Sequence, residues 1–280
     1  VDFFIMLPSC VPATALETAG ARITADDLRL MIGDERIAGV AELMNFPGVY
    51  LGDERELDKI KAGKGKNIDG HAPGLRGKNL NAYALAGVRS DHESTEVAEA
   101  REKLRLGMQI LLREGSTERN LEHLLPLLNA HNAVNCSYAT DDKLAGDLVT
   151  EGHIDHAVRK SISRGLAPIT AFQIATINTA RHYRLRNFGA VAPRYWADFI
   201  VFDDLQNFSV KKKKKKGRLV AEQETARVDG EVARHRLDLV DQLPEVRDQR
   251  RRGVEAGAAQ RLVRQVVGAG QAVVHVAAGE

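Results

Sequence analysis

Four short runs of mostly small or apolar residues in this 280-residue chain end in side chains able to hold a metal ion. They are Ala38-Gly39-Val40-Ala41-Glu42, Asn67-Ile68-Asp69-Gly70-His71, Gly87-Val88-Arg89-Ser90-Asp91-His92 and Cys136-Ser137-Tyr138-Ala139-Thr140-Asp141-Asp142. Imidazole and carboxylate suit Fe²⁺, Mn²⁺ or Zn²⁺. A divalent ion so held lowers the pKa of a bound water and makes it a nucleophile at neutral pH. Each residue alone has a plainer reading. A Glu after a strand is usually a solvated loop residue, a His there is often hydrogen-bonded for structural reasons, and an Asp-Asp pair can cap a helix. All four runs place the polar residue at the same point of the local pattern, so the joint reading is one metal site made of Glu42, His71, His92 and Asp141.

Ligands with roughly 20 to 50 residues between neighbours meet where parallel strands end together, as at the C-terminal mouth of a (β/α)8 barrel. The chain up to about residue 150 has the alternation this needs. Phe3 to Leu7 reads as a strand stopped by Pro8, and Thr24 with Asp27 reads as a capping box opening a helix. Strands ending at Glu42, His71 and His92 follow, with helices expected over Asp53 to Ala62, Asn79 to Ala86 and Thr95 to Leu106, the last with Glu96, Glu99 and Lys103 outward. A strand over Gly107 to Gly115, a leucine-rich helix over Asn120 to Leu128 and a strand into Asp141 complete the series. Six strands are two short of a closed barrel, and Val1 is not an initiator methionine. The expectation is therefore a fragment whose first two βα units lie upstream, with aggregation-prone open sheet edges.

Composition agrees with a soluble globular protein. The chain is 44% hydrophobic and 28% charged with a net charge of +2, enough apolar residues for one barrel-sized domain and no basic surface suited to nucleic acid. No apolar stretch approaches the roughly 18 residues of a membrane span, and no basic n-region marks Val1 to Cys10 as a signal peptide. Cys10 and Cys136 form no CxxC motif and suggest no disulfide, which fits a reducing cytoplasm.

The segments Leu7-Pro8-Ser9-Cys10-Val11-Pro12-Ala13-Thr14, Ala41 to Val49, Ile68 to Leu75, Arg89-Ser90-Asp91-His92-Glu93, Arg113-Glu114-Gly115-Ser116, Thr140-Asp141-Asp142 and Glu151-Gly152-His153-Ile154-Asp155-His156 resemble the bacterial adenine deaminase family of the amidohydrolase superfamily, from residue 1 to about 210. The resemblance implies a hydrolase that converts adenine to hypoxanthine and ammonia in purine salvage. It also implies a two-metal centre, Mn²⁺ or Fe²⁺ favoured and Zn²⁺ allowed, in a barrel of which this chain holds strands 3 to 8. Glu42 would bridge the metals, His71 and His92 would hold one of them, and Asp141 would bind the other and carry a proton between water and leaving amine. Asp142 or Glu93 would hydrogen-bond the purine edge, although Glu93 could equally cap the following helix. Adenine and water are the implied partners, with no nucleic acid or membrane, and a homo-oligomer is compatible with this reading. The superfamily's first strand carries a His-x-His metal-binding pair, which occurs nowhere in this chain, so the fragment itself is expected to be inactive. The rival readings are another amidohydrolase-type deaminase or cyclic-amide hydrolase, and a non-catalytic remnant that binds a ligand or a partner chain.

The remaining features read as structural. His153 and His156 are three apart, on one helical face, and more plausible as packing than as ligands; His123 and His131 flank the leucine-rich helix as surface or capping residues. A helix over Ile169 to His182 closes the barrel domain, taken as residues 1–186. A strand near Ala197 to Asp204 belongs to a remnant small β domain, taken as 187–222, whose pairing partner is expected to be missing. Trp196 stands where the family pattern more often has a small or basic residue, which leaves that turn open. Lys211 to Lys216 is an unbroken lysine run. Beyond it, Gly217 to Glu280 contains no Phe, Trp, Tyr, Ile, Lys, Met or Cys, and 223–280 reads as a disordered or out-of-frame tail.

Overall fold

The computed structural model describes residues 2–14, 16–206, 208–222 and 225–226. The six expected strands are β1 (Ile5–Pro8), β2 (Ile37–Leu43), β3 (Asn67–Gly70), β4 (Ser90–Asp91), β5 (Gln109–Arg113) and β6 (Cys136–Ala139). They pair in chain order and always parallel, but as two three-stranded sheets, β1-β2-β3 and β4-β5-β6, rather than one unbroken arc. The break falls at β4, whose ladder is two residues long. The sheets abut there: the Arg89 N–H donates to the Ile68 carbonyl at 2.9 Å. Close approach explains Gly70, where a Cβ would lie 2.5 Å from the Ser90 carbonyl oxygen.

Helices separate the strands. Thr24 and Asp27 form the capping box of α1 (Ala25–Met31), with the Thr24 N–H donating to Asp27 at 2.8 Å. A helix not expected from the sequence, α2 (Phe46–Leu51), is opened by the Asn45 side chain, which accepts from the Gly48 N–H, and closed by Gly52 at φ 84°. Asp53 caps α3 (Glu54–Ala62), and α4 (Gly77–Ala86) and α5 (Val97–Arg105) follow. The leucine-rich helix is shorter than expected. It runs as α6 (Leu121–Leu124) into a 3₁₀ turn, Leu125–Leu127, at Pro126, which has no N–H to continue the ladder. After β6 come α7 (Ala145–Thr150), α8 (Ile154–Ser163), α9 (Pro168–Gln173), a π-helical turn Ile174–Asn178 and α10 (Thr179–His182). His153 is the N-cap of α8 rather than a member of its face, while His123 and His131 are exposed.

One expectation about α5 is overturned. Glu99 and Lys103 are 4% and 0% exposed, not outward; only Glu96 faces solvent. Both inward side chains lie on the ends of β3 and β4, where Asp91 supplies a counter-charge, so this helix buries polar groups as well as Ala100.

Two apolar clusters follow the two sheets. Leu7, Val40, Leu43, Ile68, Leu80 and Tyr83 pack around the first, while Ile110, Leu112, Leu121, Leu124, Tyr138 and Ile174 pack around the second. The chain after α10 folds back beneath the first sheet. Tyr183 joins Met6 and Ala41 there, its hydroxyl 3.0 Å from Asp69, and the Asn67 side-chain amide donates to the His182 carbonyl at 2.5 Å.

Beyond it lies a small antiparallel sheet of β7 (Phe199–Phe202), β8 (Val210–Lys215), β9 (Arg218–Glu222) and β10 (Thr225–Ala226). The partner of β7 is therefore local: it is the lysine run itself, paired Ile200 to Lys213 and Val201 to Lys212. Phe172, Phe202 and Phe208, with ring centroids 4.9–5.1 Å apart, fasten this sheet to the second cluster. The turn at Trp196 is closed by its N–H donating to Asn187, and the ring lies 5.1 Å from the Lys216 ammonium. The tail expected over 223–280 lies outside the described residues except for the two of β10. Cys10 and Cys136 are both free thiols. No helix among the described residues is long and apolar enough to cross a membrane.

Candidate metal centre

Glu42 is the penultimate residue of β2, His71 follows β3 directly, and His92 follows β4. Because the three strands are parallel and adjacent, their C-terminal ends place these side chains together. Glu42 Oε2 lies 3.1 Å from His71 Nδ1 and 3.0 Å from His92 Nε2, and the two nitrogens are 3.3 Å apart. Donor atoms sharing one ion at bonds of about 2.0–2.2 Å stand at such separations. The donor set of one carboxylate and two imidazoles therefore fits a divalent cation.

Asp141 is close by but in a different group. Its carboxylate, with His92 and Glu93, forms a second set of potential ligands that shares the His92 imidazole with the first. Asp141 follows β6 in a left-handed turn, φ 49°, a conformation Asp tolerates better than most residues. Its Oδ2 accepts from Arg113 at 2.6 Å, and the same guanidinium nitrogen donates to Glu93. Arg113, 2% exposed at the end of β5, thus ties two of the expected residues together; its Nε has no protein partner among the described residues. Asp142 is engaged elsewhere. Its carboxylate accepts from the Ser116 and Thr117 N–H groups at 2.9 and 2.8 Å and from the Thr117 hydroxyl, which closes the loop after β5. Glu93 lies 3.3 Å from His92 and 3.6 Å from His71, facing the site rather than capping a helix. His153 sits 3.3 Å from the Thr140 hydroxyl, and His156 is 3.7 Å from buried Glu114.

The ligand-bearing ends are themselves held. The Ser9 hydroxyl donates to the Glu42 carbonyl at 2.8 Å, and the Lys59 ammonium donates to the Ser9 carbonyl at 2.7 Å. Buried Tyr83 accepts from the His71 N–H and donates to the Leu43 carbonyl, bridging β2 and β3. Asn120 donates to the His92 and Ser94 carbonyls and accepts from the Arg113 N–H at 2.5 Å. The sequence assigns no site role to Arg113, Tyr83 or Asn120, although Arg113 belongs to one of the family-like segments and closes the otherwise apolar run Ile110-Leu111-Leu112.

Electrostatics favour a charged carboxylate here. Burial pushes Glu42 up, but the His71 and His92 imidazoles together outweigh it and bring the carboxyl down to about 2. Burial likewise pushes His92 down, and Glu42, Asp91 and Asp141 reverse that, raising it to about 9. An ionised Glu42 between two imidazoles offers a donor set suited to a divalent cation.

Comparison with known proteins shows the family. The chain is 52% identical over 228 residues to an adenine deaminase of Kosmotoga olearia, covering 79% of this chain and 39% of that protein. An adenine deaminase of Dehalococcoides mccartyi is 50% identical over 222 residues, covering 79% and 39%. The chain thus spans about two fifths of the length of these relatives, 39% in both cases. Among solved structures, a beta-aspartyl dipeptidase of Fervidobacterium islandicum AW-1 superposes with a TM-score of 0.54 at 16% identity, over 81% of this chain and 65% of that one, a likeness of fold. The amidohydrolase family model matches residues 1–220, and with half-identical relatives over most of its length the chain belongs to the amidohydrolase family.

Proposed function

We propose that this chain carries part of the active site of an enzyme that hydrolyses adenine to hypoxanthine and ammonia. The observation behind it is the meeting of Glu42, His71 and His92 beside Asp141, in a chain half identical to adenine deaminases. On this reading the six parallel strands are the third to eighth of a barrel, residues 1–186 form that domain, and 187–222 belong to a small β domain. A divalent ion, Mn²⁺, Fe²⁺ or Zn²⁺, held by Glu42, His71 and His92 would supply a water of lowered pKa. Asp141, beside this group, would take a proton from the attacking water as the oxygen bonds to purine C6, and would return it to the exocyclic nitrogen as the C6–N bond breaks. Arg113 fixes the Asp141 carboxylate for this exchange. Glu93, beside His92, would accept a hydrogen bond from a purine N–H, whereas the Asp142 carboxylate is engaged by the loop at Ser116 and Thr117. Adenine and water are the partners this chemistry requires, and a cytoplasmic setting suits its free cysteines.

Metal content after dialysis, paired with ammonia release from adenine, tests the reading. The chain is expected to retain an ion that His71→Ala and His92→Ala lose. A longer preparation spanning the full length of the relatives is expected to release ammonia from adenine, and Asp141→Asn is expected to lower that kcat by about 10²–10⁴-fold. Turnover of a different cyclic amide, with none of adenine, would overturn the assignment of substrate; full turnover in Asp141→Asn would overturn the proton carrier.

A further inference from the structure

A buried lysine needs a reason. Lys103 on α5 is 0% exposed, and desolvating a buried ionic cluster is costly enough that well-packed apolar residues in place of the whole cluster usually serve stability as well or better. The groups around it point to another role. Its Nζ donates to Glu99 at 2.6 Å, to the Ala72 carbonyl at 2.7 Å and to Asp91 at 2.9 Å, with the Ser94 hydroxyl 3.1 Å away. Ala72 is the residue after His71, and Asp91 is the residue before His92.

The two carboxylates extend the same grip. Asp91 Oδ1 accepts from the Ala72 N–H at 2.9 Å, and Oδ2 accepts from the Ser94 N–H at 2.9 Å and the Ser94 hydroxyl at 2.7 Å. Glu99 accepts from the Gly74 N–H at 2.9 Å. The loop leaving β3 and the loop leaving β4 are therefore knotted to each other through one ammonium and two carboxylates. These loops carry His71 and His92, and between them the strand ladder offers little, since β4 is two residues long and belongs to the other sheet.

We propose that Lys103 is a positioning residue for the metal site: with Asp91 and Glu99 it sets the separation of His71 and His92 across the gap between the two sheets. This rests on the reading that Glu42, His71 and His92 hold the ion. Partners behind metal ligands commonly govern affinity in this way, because they fix the ligand backbone before the ion arrives.

The test is titration of Mn²⁺ and of Zn²⁺ into the metal-stripped 280-residue chain, at a temperature where circular dichroism shows every variant folded. Lys103→Met is expected to weaken binding by about 10–100-fold, and Glu99→Gln, which keeps the shape and removes one charge, by about tenfold. Leu121→Ala, in the core of the other sheet, loses stability and is expected to keep the parent's affinity. If Lys103→Met does not fold, Glu99→Gln decides alone. Unchanged affinity in a folded Lys103→Met, or in Glu99→Gln where that is the only folded variant, overturns the positioning role while leaving the ligand assignment intact. An unmutated chain that binds no ion, or His92→Ala that binds as tightly as the parent, overturns the ligand assignment and this inference with it.

Discussion

Lys103 and the run Lys211 to Lys216 contain the same side chain in opposite circumstances. The single lysine on α5 is sealed between two carboxylates and a carbonyl. Those of β8 are spread along a strand at the protein surface. Lys211 and Lys212 are about half exposed, each beside one carboxylate, Asp203 or Glu222. The Lys214 ammonium lies over the Phe199 ring, 5.7 Å from its centroid, a cation–π contact at the sheet surface. Lys215 is intermediate: 18% exposed, it bridges Asp2 and Asp198 and ties the start of the chain to the small sheet. A lysine's contribution is thus set by how much water it has lost and what has replaced that water, and a conspicuous run of six matters less than one inconspicuous residue inside a helix.

The largest expected effect is at Lys103. Replacing it with Met leaves two buried carboxylates without their cation, and the loss of folding stability by denaturant titration should be about 3–5 kcal/mol. A loss below 1 kcal/mol would dissolve the contrast with the surface run. Next comes acid. Burial pushes the Asp91 carboxyl up, but Lys103, His92 and Ser94 prevail and hold it below its usual value. The stability this supplies is fully present above the unfolded value of about 3.9 and fades as pH falls through the lower folded value. Asp91→Asn should therefore be less stable at neutral pH and flatter in its acid limb below about pH 4; an acid limb as steep as the parent's would place the responsible carboxylate elsewhere. The smallest effects belong to β8. Lys215→Ala should cost on the order of 1 kcal/mol in thermal unfolding, Lys213→Ala less than about 0.5 kcal/mol. Equal losses at the two would mean that the Asp2 and Asp198 pairs are solvent-screened like their neighbours.

Much of the architecture is legible in single segments. Apolar runs stopped by Pro8, Gly70 and the loop after Ala139 announce strands, and Thr24 with Asp27 announces a helix start, because the relevant chemistry lies within four residues. Glu42, His71 and His92 were legible for a related reason: parallel strands bring their last residues together whatever the rest of the fold does. Glu99 and Lys103 were not. A Glu and a Lys four apart on a helix read as an exposed pair, and only the distant Asp91 turns them inward. β8 was hidden because lysines show no apolar alternation, so nothing local distinguishes a central strand from a charged linker. Asn45-Phe46-Pro47-Gly48 looks like a turn until its amide side chain is seen capping α2.

The return of the chain beneath the first sheet bears on the order in which this protein can assemble. The Asp69–Tyr183 and Asn67–His182 bonds join residues 114 and 115 positions apart, and Arg184 reaches the Gly65 carbonyl across 119. Closing so long a loop is entropically costly before any contact rewards it, and topologies rich in such closures fold slowly. On a ribosome, β1 to β3 emerge with Asp69 and the Met6–Ala41 face uncovered, and they stay so until residues 182–185 have been made. For that interval a carboxylate and an apolar face that the finished protein buries are open to water and to other chains, the kind of surface through which incomplete chains associate.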